Sequence, residues 1–267
     1  MSSKKIHSRS EFTALKEFSA GGSDAAGTLE KFTEPLRKAA GNGNEDEISD
    51  ALAYEWKSIL TVAENTTHSE QSHLIDFVTR LRKETLKSSS GGAISHEGGS
   101  IWTDLPTFGW QVREAWGFSP KQPGADEASK TPYVNQNAFL ARLTNMSTAG
   151  DADDTLDFSL YALWSLREAL EDDAPEETPG YGAIRAAAVW MIYSAEKIWQ
   201  LSEAEKAFDG KLAKAGRKFK DEEWRGFNND RWNVWKDEFR KLAKCPDPDA
   251  TSLVQKALQN MENIQKS

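Results

Sequence analysis

The sequence predicts an all-α protein, a single multi-helix domain of about nine or ten helices in orthogonal, bundle-like packing. Three observations predict it. Apolar residues recur at helical spacing in every strongly patterned segment, and no strand-like alternation lasts more than a few residues. Gly, Pro, Asn and Ser cluster between those segments, where helices must stop. The 267 residues are 38% hydrophobic and 28% charged, enough apolar material for a core and too much for a disordered chain. No repeat of fixed period is present, and neither half carries a self-sufficient pattern. The chain therefore reads as one domain, 1–267, with flexible loops near 88–100 and 117–131.

Each helix has its own justification. Ser10–Phe18 opens on a capping serine and turns Phe12 and Leu15 inward, and Gly21-Gly22 ends it. Leu29–Ala40 is interrupted or restarted at Pro35. Glu45–Ala63 carries the stripe Ile48, Leu52, Ile59 and Val62, with Trp56 beside it; Gln71–Leu86 faces Leu74, Phe77, Val78 and Leu81 to the core. Trp102, Leu105, Phe108, Val112 and Trp116 repeat at helical spacing, with Pro106 in the first turn. Pro132–Met146 turns Phe139, Leu140, Leu143 and Met146 inward. Asp153–Glu171 is apolar nearly all round and so reads as the most deeply buried helix. Gly182–Leu201 is the second strongly apolar helix, and the short connection makes the two antiparallel neighbours. Asp221–Ala243 and the amphipathic Ala250–Ile264 follow, separated by Cys245-Pro246-Asp247-Pro248.

Composition narrows the function classes. A formal net charge of −9 disfavours nucleic acid as a partner. The basic run Lys211–Lys220 is followed at once by Asp221, Glu222 and Glu223 and reads as a solvated linker. No segment approaches the ~20 apolar residues of a membrane span, and the first residues lack the apolar run of a signal peptide. Cys245 is the only cysteine, so no internal disulfide forms and a reducing, cytoplasmic compartment is expected. Ten Trp and twelve Phe imply a bulky core first and a ligand pocket second.

Chemistry-bearing motifs are sparse. Asp153, Asp154 and Asp157 form an aspartate-rich DDxxD pattern of the kind class I terpene cyclases use to hold Mg²⁺, and Asn229–Asp237 loosely matches their second motif. Against this, Asn233 and Asp237 depart from the pattern, and the acids open a helix, where the dipole favours them anyway. None of His7, His68, His73 and His96 pairs with a cysteine or a second histidine at ligand spacing. No G-x-S-x-G, P-loop or G-x-G-x-x-G is present. No metal and no cofactor is expected.

Charges on apolar faces are the remaining signal. Arg167 sits among Leu160, Leu163, Trp164 and Leu170; Glu55 lies within Ile48, Leu52, Ile59 and Val62. Arg231 is flanked by Trp224, Phe227, Val234 and Trp235, and Glu196 lies between Ile192 and Trp199. Buried charges must be paired. The sequence therefore predicts an internal Arg–Glu network, with Arg167 largely buried and Glu55 or Glu196 as its carboxylate. As candidate ligand-binding residues, Arg167, Glu55, Glu196, Arg231 and Trp164 form a polar patch in an aromatic setting.

Several blocks also resemble a known family: IWTDLPTFGWQVREAWG from Ile101, NAFLARLT from Asn137, DFSLYALWSLREALE from Asp157, AAAVWMIYSAEKIW from Ala186 and RWNVWKDEF from Arg231. They resemble, over roughly residues 45–243, a fungal family of uncharacterised proteins grouped under a domain of unknown function. The resemblance implies a mainly helical intracellular protein and brings no catalytic residues; some members are encoded near secondary-metabolism genes. Three classes stay open: a non-enzymatic binding or interaction protein, favoured here; a cofactor-free enzyme or carrier for a small apolar metabolite; and a Mg²⁺-dependent cyclase. A protein or a small apolar molecule is the expected partner.

Overall fold

Twelve α-helices make up nearly all the regular structure of the computed structural model, which describes residues 3–88, 91–117, 127–148, 154–173 and 180–266. The chain divides into two compact units, Met1–Gly117 and Phe118–Ser267. Among the described residues no helix is long and apolar enough to cross a membrane.

The first unit contains α1 (Ser3–His7), α2 (Ser10–Ser19), α3 (Ala25–Asn42), α4 (Glu45–Asn65) and α5 (Ser72–Leu81). A two-stranded ribbon, β1 (Ser95–His96) and β2 (Gly99–Ser100), follows, then α6 (Phe108–Ala115). Helix α3 is not interrupted: it runs through Pro35, which removes one backbone donor, because Phe32, Leu36 and Ala39 are buried on both sides of it. Asn44 caps α4 by accepting from the amides of Asp46 and Glu47. Helix α5 stops at Leu81, before the expected Leu86.

Residues 101–107 are not helical, against the expectation for Trp102–Trp116. Trp102, Leu105 and Thr107 take positive φ values of 69°, 48° and 64°. Tertiary bonds account for the irregular path. The Trp56 indole donates to the Pro106 carbonyl at 2.8 Å, and the Ser100 amide donates to Asp104 at 2.7 Å. Trp102, Leu105 and Phe108 are buried all the same, so their spacing reported burial and not helix.

The second unit contains α7 (Glu127–Met146), α8 (Ser159–Leu166) with a π-helical turn (Arg167–Glu171), α9 (Tyr181–Tyr193), α10 (Ala195–Glu203), α11 (Asn229–Leu242) and α12 (Pro248–Ile264). Its centre is α9, not the 153–171 segment. Gly182 through Met191 are buried without a break, and Ala183, Ala186, Ala187 and Ala188 let α7 and α12 approach closely. Asn137 ties three helices together: its Oδ1 accepts from Ser165 Oγ at 2.8 Å and from the Trp190 indole at 2.7 Å. The expected helix 182–201 is broken at Ser194, where ψ is 21° and φ −144°. The expected helix 221–243 begins only at Asn229, capped by Asn228.

Between α10 and α11 the chain forms a long loop closed at its base. The Phe208 amide donates to the Arg225 carbonyl at 2.8 Å, and the Phe227 amide donates to the Lys206 carbonyl at 2.9 Å. The strands of this neck touch so closely that a Cβ on Gly226 would lie 2.0 Å from the Lys206 carbonyl oxygen. We expect Gly226→Ala to destabilise the protein by about 1–3 kcal/mol or more, as overpacking against backbone does; a melting temperature equal to that of the wild type would show that the neck opens freely.

Candidate functional site

Several polar side chains of the second unit bond to that loop. Trp164, Arg167 and Glu171 lie three, four and seven residues apart, so α8 and its π turn present them on one side. All three hold loop backbone. The Trp164 indole donates to the Leu212 carbonyl at 2.9 Å, and Arg167 Nη1 donates to the carbonyls of Leu212 at 3.2 Å and Lys214 at 3.4 Å. Glu171 accepts from the Gly216 amide and Asp172 from the Arg217 amide, each at 2.8 Å. The basic run is therefore a pinned strap and not a solvated linker. Ala213 and Gly216 are buried under it, while Lys211, Lys214, Arg217, Lys218 and Lys220 stay exposed.

Beneath the strap lies an ion pair that is 0% exposed on both sides. Arg231 stands in the first turn of α11, and its Nε and Nη2 donate to the two oxygens of Glu171 at 2.7 and 2.9 Å. Nη1 donates to the carbonyls of Ala213 and Gly226 at 2.8 and 2.9 Å, and Nη2 reaches Lys214 at 3.2 Å. All five guanidinium N–H groups are thereby satisfied. The Trp235 indole donates to Glu171 Oε1 at 2.7 Å, so this carboxylate accepts four hydrogen bonds with the Gly216 amide included. The Trp224 and Trp235 rings flank the cation, 5.3 and 5.5 Å from its central carbon. A carboxylate so saturated has no lone pair left to take a proton from a substrate.

The sequence-predicted residues are placed as follows. Arg231 is buried and paired, with Glu171 as its partner. Arg167 is half-exposed, and it donates to carbonyl oxygens where a carboxylate was expected. The π turn leaves its guanidinium at the strap's edge, within reach of both carbonyls and solvent. Trp164 is half-buried on the same strap. Glu196 is exposed, because the break at Ser194 restarts the helix and changes the face that Glu196 occupies. In the first unit, Glu55 is fully buried, as expected, but takes its hydrogen bond from the Trp102 indole at 2.7 Å. Its other oxygen has no partner among the described residues. Burial, with the nearby Glu11 carboxylate adding to it, pushes the Glu55 carboxyl well above the usual range and so favours its neutral form. Glu171, the centre of the network, was not singled out from sequence. Its spacing, four residues after Arg167 and seven after Trp164, places it on their side of the helix but does not name Arg231 as its partner.

The aspartate motif has local work. Asp153 lies outside the described residues. Asp154 accepts from the amides of Thr148 and Leu156, and Asp157 accepts from the Ser159 amide. Asp157 also pairs with Lys206 at 2.5 Å. Asp154 and Asp157 precede α8 as turn and cap acceptors, and the helix they were expected to open begins only at Ser159. In the second motif, Asp237 pairs with Arg240 at 2.7 Å. Among the described residues no group of three or more His, Cys, Asp or Glu is placed to hold a metal ion.

Over the strap lies an open groove of about 600 Å³. Arg167, Lys214, Arg217, Lys220 and Arg225 line it, interleaved with Asp172, Asp221, Glu222 and Glu223. The result is an all-α protein with a charge-patterned groove resting on a pinned internal segment. The chain belongs to the DUF3632 family, described as proteins of unknown function, whose model matches residues 56–239. That span holds Trp102, Glu171, Arg231 and Trp235, while Glu55 lies one residue before it. No curated protein and no solved structure matches the chain.

Two outcomes are expected from this geometry. Glu171→Ala strands a buried guanidinium and should cost about 3–5 kcal/mol, whereas Arg231→Met combined with Glu171→Leu removes both charges and should cost less. Urea denaturation of the two variants checks the order; a double variant less stable than Glu171→Ala would refute the pairing account. Glu55 predicts a slope with pH. Its folded pKa is raised, so the folded state binds the proton more tightly, and stability falls as pH rises from the unfolded carboxylate range through the folded value. Glu64, pushed up to about 6 by burial, acts in the same direction. Glu55→Gln should match the wild type near the acid end and melt higher at alkaline pH; parallel Tm profiles would show that Glu55 does not titrate across folding.

Proposed function

We propose that the protein is a binding or interaction protein without a reaction of its own, and that the groove over the strap is its contact surface. One observation carries the reading: Trp164, Arg167, Glu171 and Arg231 are engaged with the protein's own backbone, which leaves them as scaffold for a fixed, exposed array of charge. A catalytic constellation needs a free acid, base or nucleophile facing a substrate. Here the buried acid of the second unit is saturated, and the groove above it is open.

The alternation of cations and acids along the groove suits a polypeptide segment bearing both charges more than a small apolar metabolite. A polyanion such as nucleic acid is disfavoured by the four acids in the lining and by the net charge of −9. Pinning matters for affinity, because a fixed loop loses little conformational entropy on binding.

Native mass spectrometry of the protein taken from its own cells tests this. We expect a retained protein partner on the wild type, lost from a Lys220→Ala, Arg225→Ala double variant whose melting temperature is unchanged. A partner retained equally by both forms, or a wild-type protein that carries none, would overturn the assignment.

A further inference from the structure

The first unit has a cleft of about 790 Å³ where α1 and α2 meet the turn between α4 and α5. Two of the chain's four histidines, His7 and His73, line it, together with Lys16. Its apolar lining is Phe12, Val62 and Ala20. We propose that this cleft seats a small organic anion, with its charged head at Lys16 and the imidazoles and its apolar body on Phe12 and Val62.

The two imidazoles rest on aromatic rings. The His7 ring stands edge-on to Phe12 with centroids 4.8 Å apart, and His73 leans on Phe18 at 5.8 Å. The hydroxyls of Ser19 and Thr66 meet at 3.3 Å and tie the end of α2 to the end of α4, which fixes the wall between them. The Lys16 ammonium makes no ion pair among the described residues, although the chain as a whole is strongly acidic. An ammonium and two imidazoles around an apolar floor have the makeup of a small-molecule site, in which a few polar groups orient a ligand on a hydrophobic lining. Glu70 is the one carboxylate in the lining. It repels a second anionic group and so limits the ligand to a single charged head. The volume lies within the range of small-ligand sites. This site is separate from the strap groove and does not depend on it.

Four probes separate the contributions: hexyl phosphate, hexanoate, hexanol and inorganic phosphate, each titrated into the full-length protein and followed by the ring signals of the histidines in NMR. We expect hexyl phosphate or hexanoate to shift His7 and His73 and to leave His96 unmoved, the tighter of the two identifying the head group. Lys16→Ala and His73→Ala should each weaken that binding about tenfold, the loss of one charge-assisted hydrogen bond. Both positions are exposed, so the variants should melt with the wild type. Hexanol binding as tightly as the anions would reduce the cleft to a greasy patch, and inorganic phosphate binding as tightly would reduce it to an adventitious ion site only. Either result, or no shift up to about 10 mM probe, overturns the proposal.

Discussion

The pairing of Glu171 with Arg231 sets the terms for the second unit. Taking a carboxylate and a guanidinium out of water costs several kcal/mol per ion, and their attraction offsets this only when the remaining donors and acceptors are also met. Here they are met by groups from three separate places: the strap, the neck at Gly226 and the indole of Trp235. None of these partners can be absent without leaving a buried polar group exposed to nothing. The loop between α10 and α11 is thus as firmly specified as the helices, although it has almost no regular structure. Trp224 and Trp235 complete the arrangement by keeping water from the pair.

In the first unit Glu55 meets its burial differently, although Glu11 there is paired with Arg9. Glu55 has no arginine hydrogen-bonded to it; the Arg37 guanidinium lies over the Trp102 ring, 4.7 Å from its centre, and reaches Glu55 only through the field. Burial favours the protonated carboxyl, and the Trp102 indole satisfies one oxygen. One chain therefore holds both standard solutions to a buried carboxyl, neutralisation by a proton and neutralisation by a cation. Only the second fixes a long loop.

What was legible in the sequence follows from how local each cause is. Helices α2, α4 and α12 were readable because their apolar stripes and the breaks before them lie within a few residues of one another; Ser10, expected to cap α2, is its first residue and makes no cap, while Asn44 and Asp247 at two of the breaks cap α4 and α12. The all-α class followed from the same signals. Residues 101–107 were misread because the Trp102 and Phe108 spacing is compatible with burial in any conformation, and the bonds that decide it come from α4. The break at Ser194 was hidden because the apolar stripe continues through it. Arg231 was recognisable from the aromatic residues around it. Its partner was not, since Glu171 stands 60 residues away and only the folded topology chooses among the chain's many acids. The strap was hidden for a related reason: its side chains are those of a solvated run, and the interactions that fix it are made by its carbonyls and amides, which every sequence has.

The π turn at Arg167–Glu171 decides where Glu171 points. Such a turn is an α-helix carrying one residue more than its neighbours' hydrogen bonds require, seen here in the Asp172 amide reaching back to Arg167. Side chains on a helix advance by about 100° per residue. Tightening this turn to a regular helix with its sequence intact would rotate Glu171 about the axis, away from both Gly216 and Arg231. The extra residue stored in the turn is therefore what sets Glu171 against the strap, whereas the basic side chains at the strap's surface point into solvent and carry no such constraint.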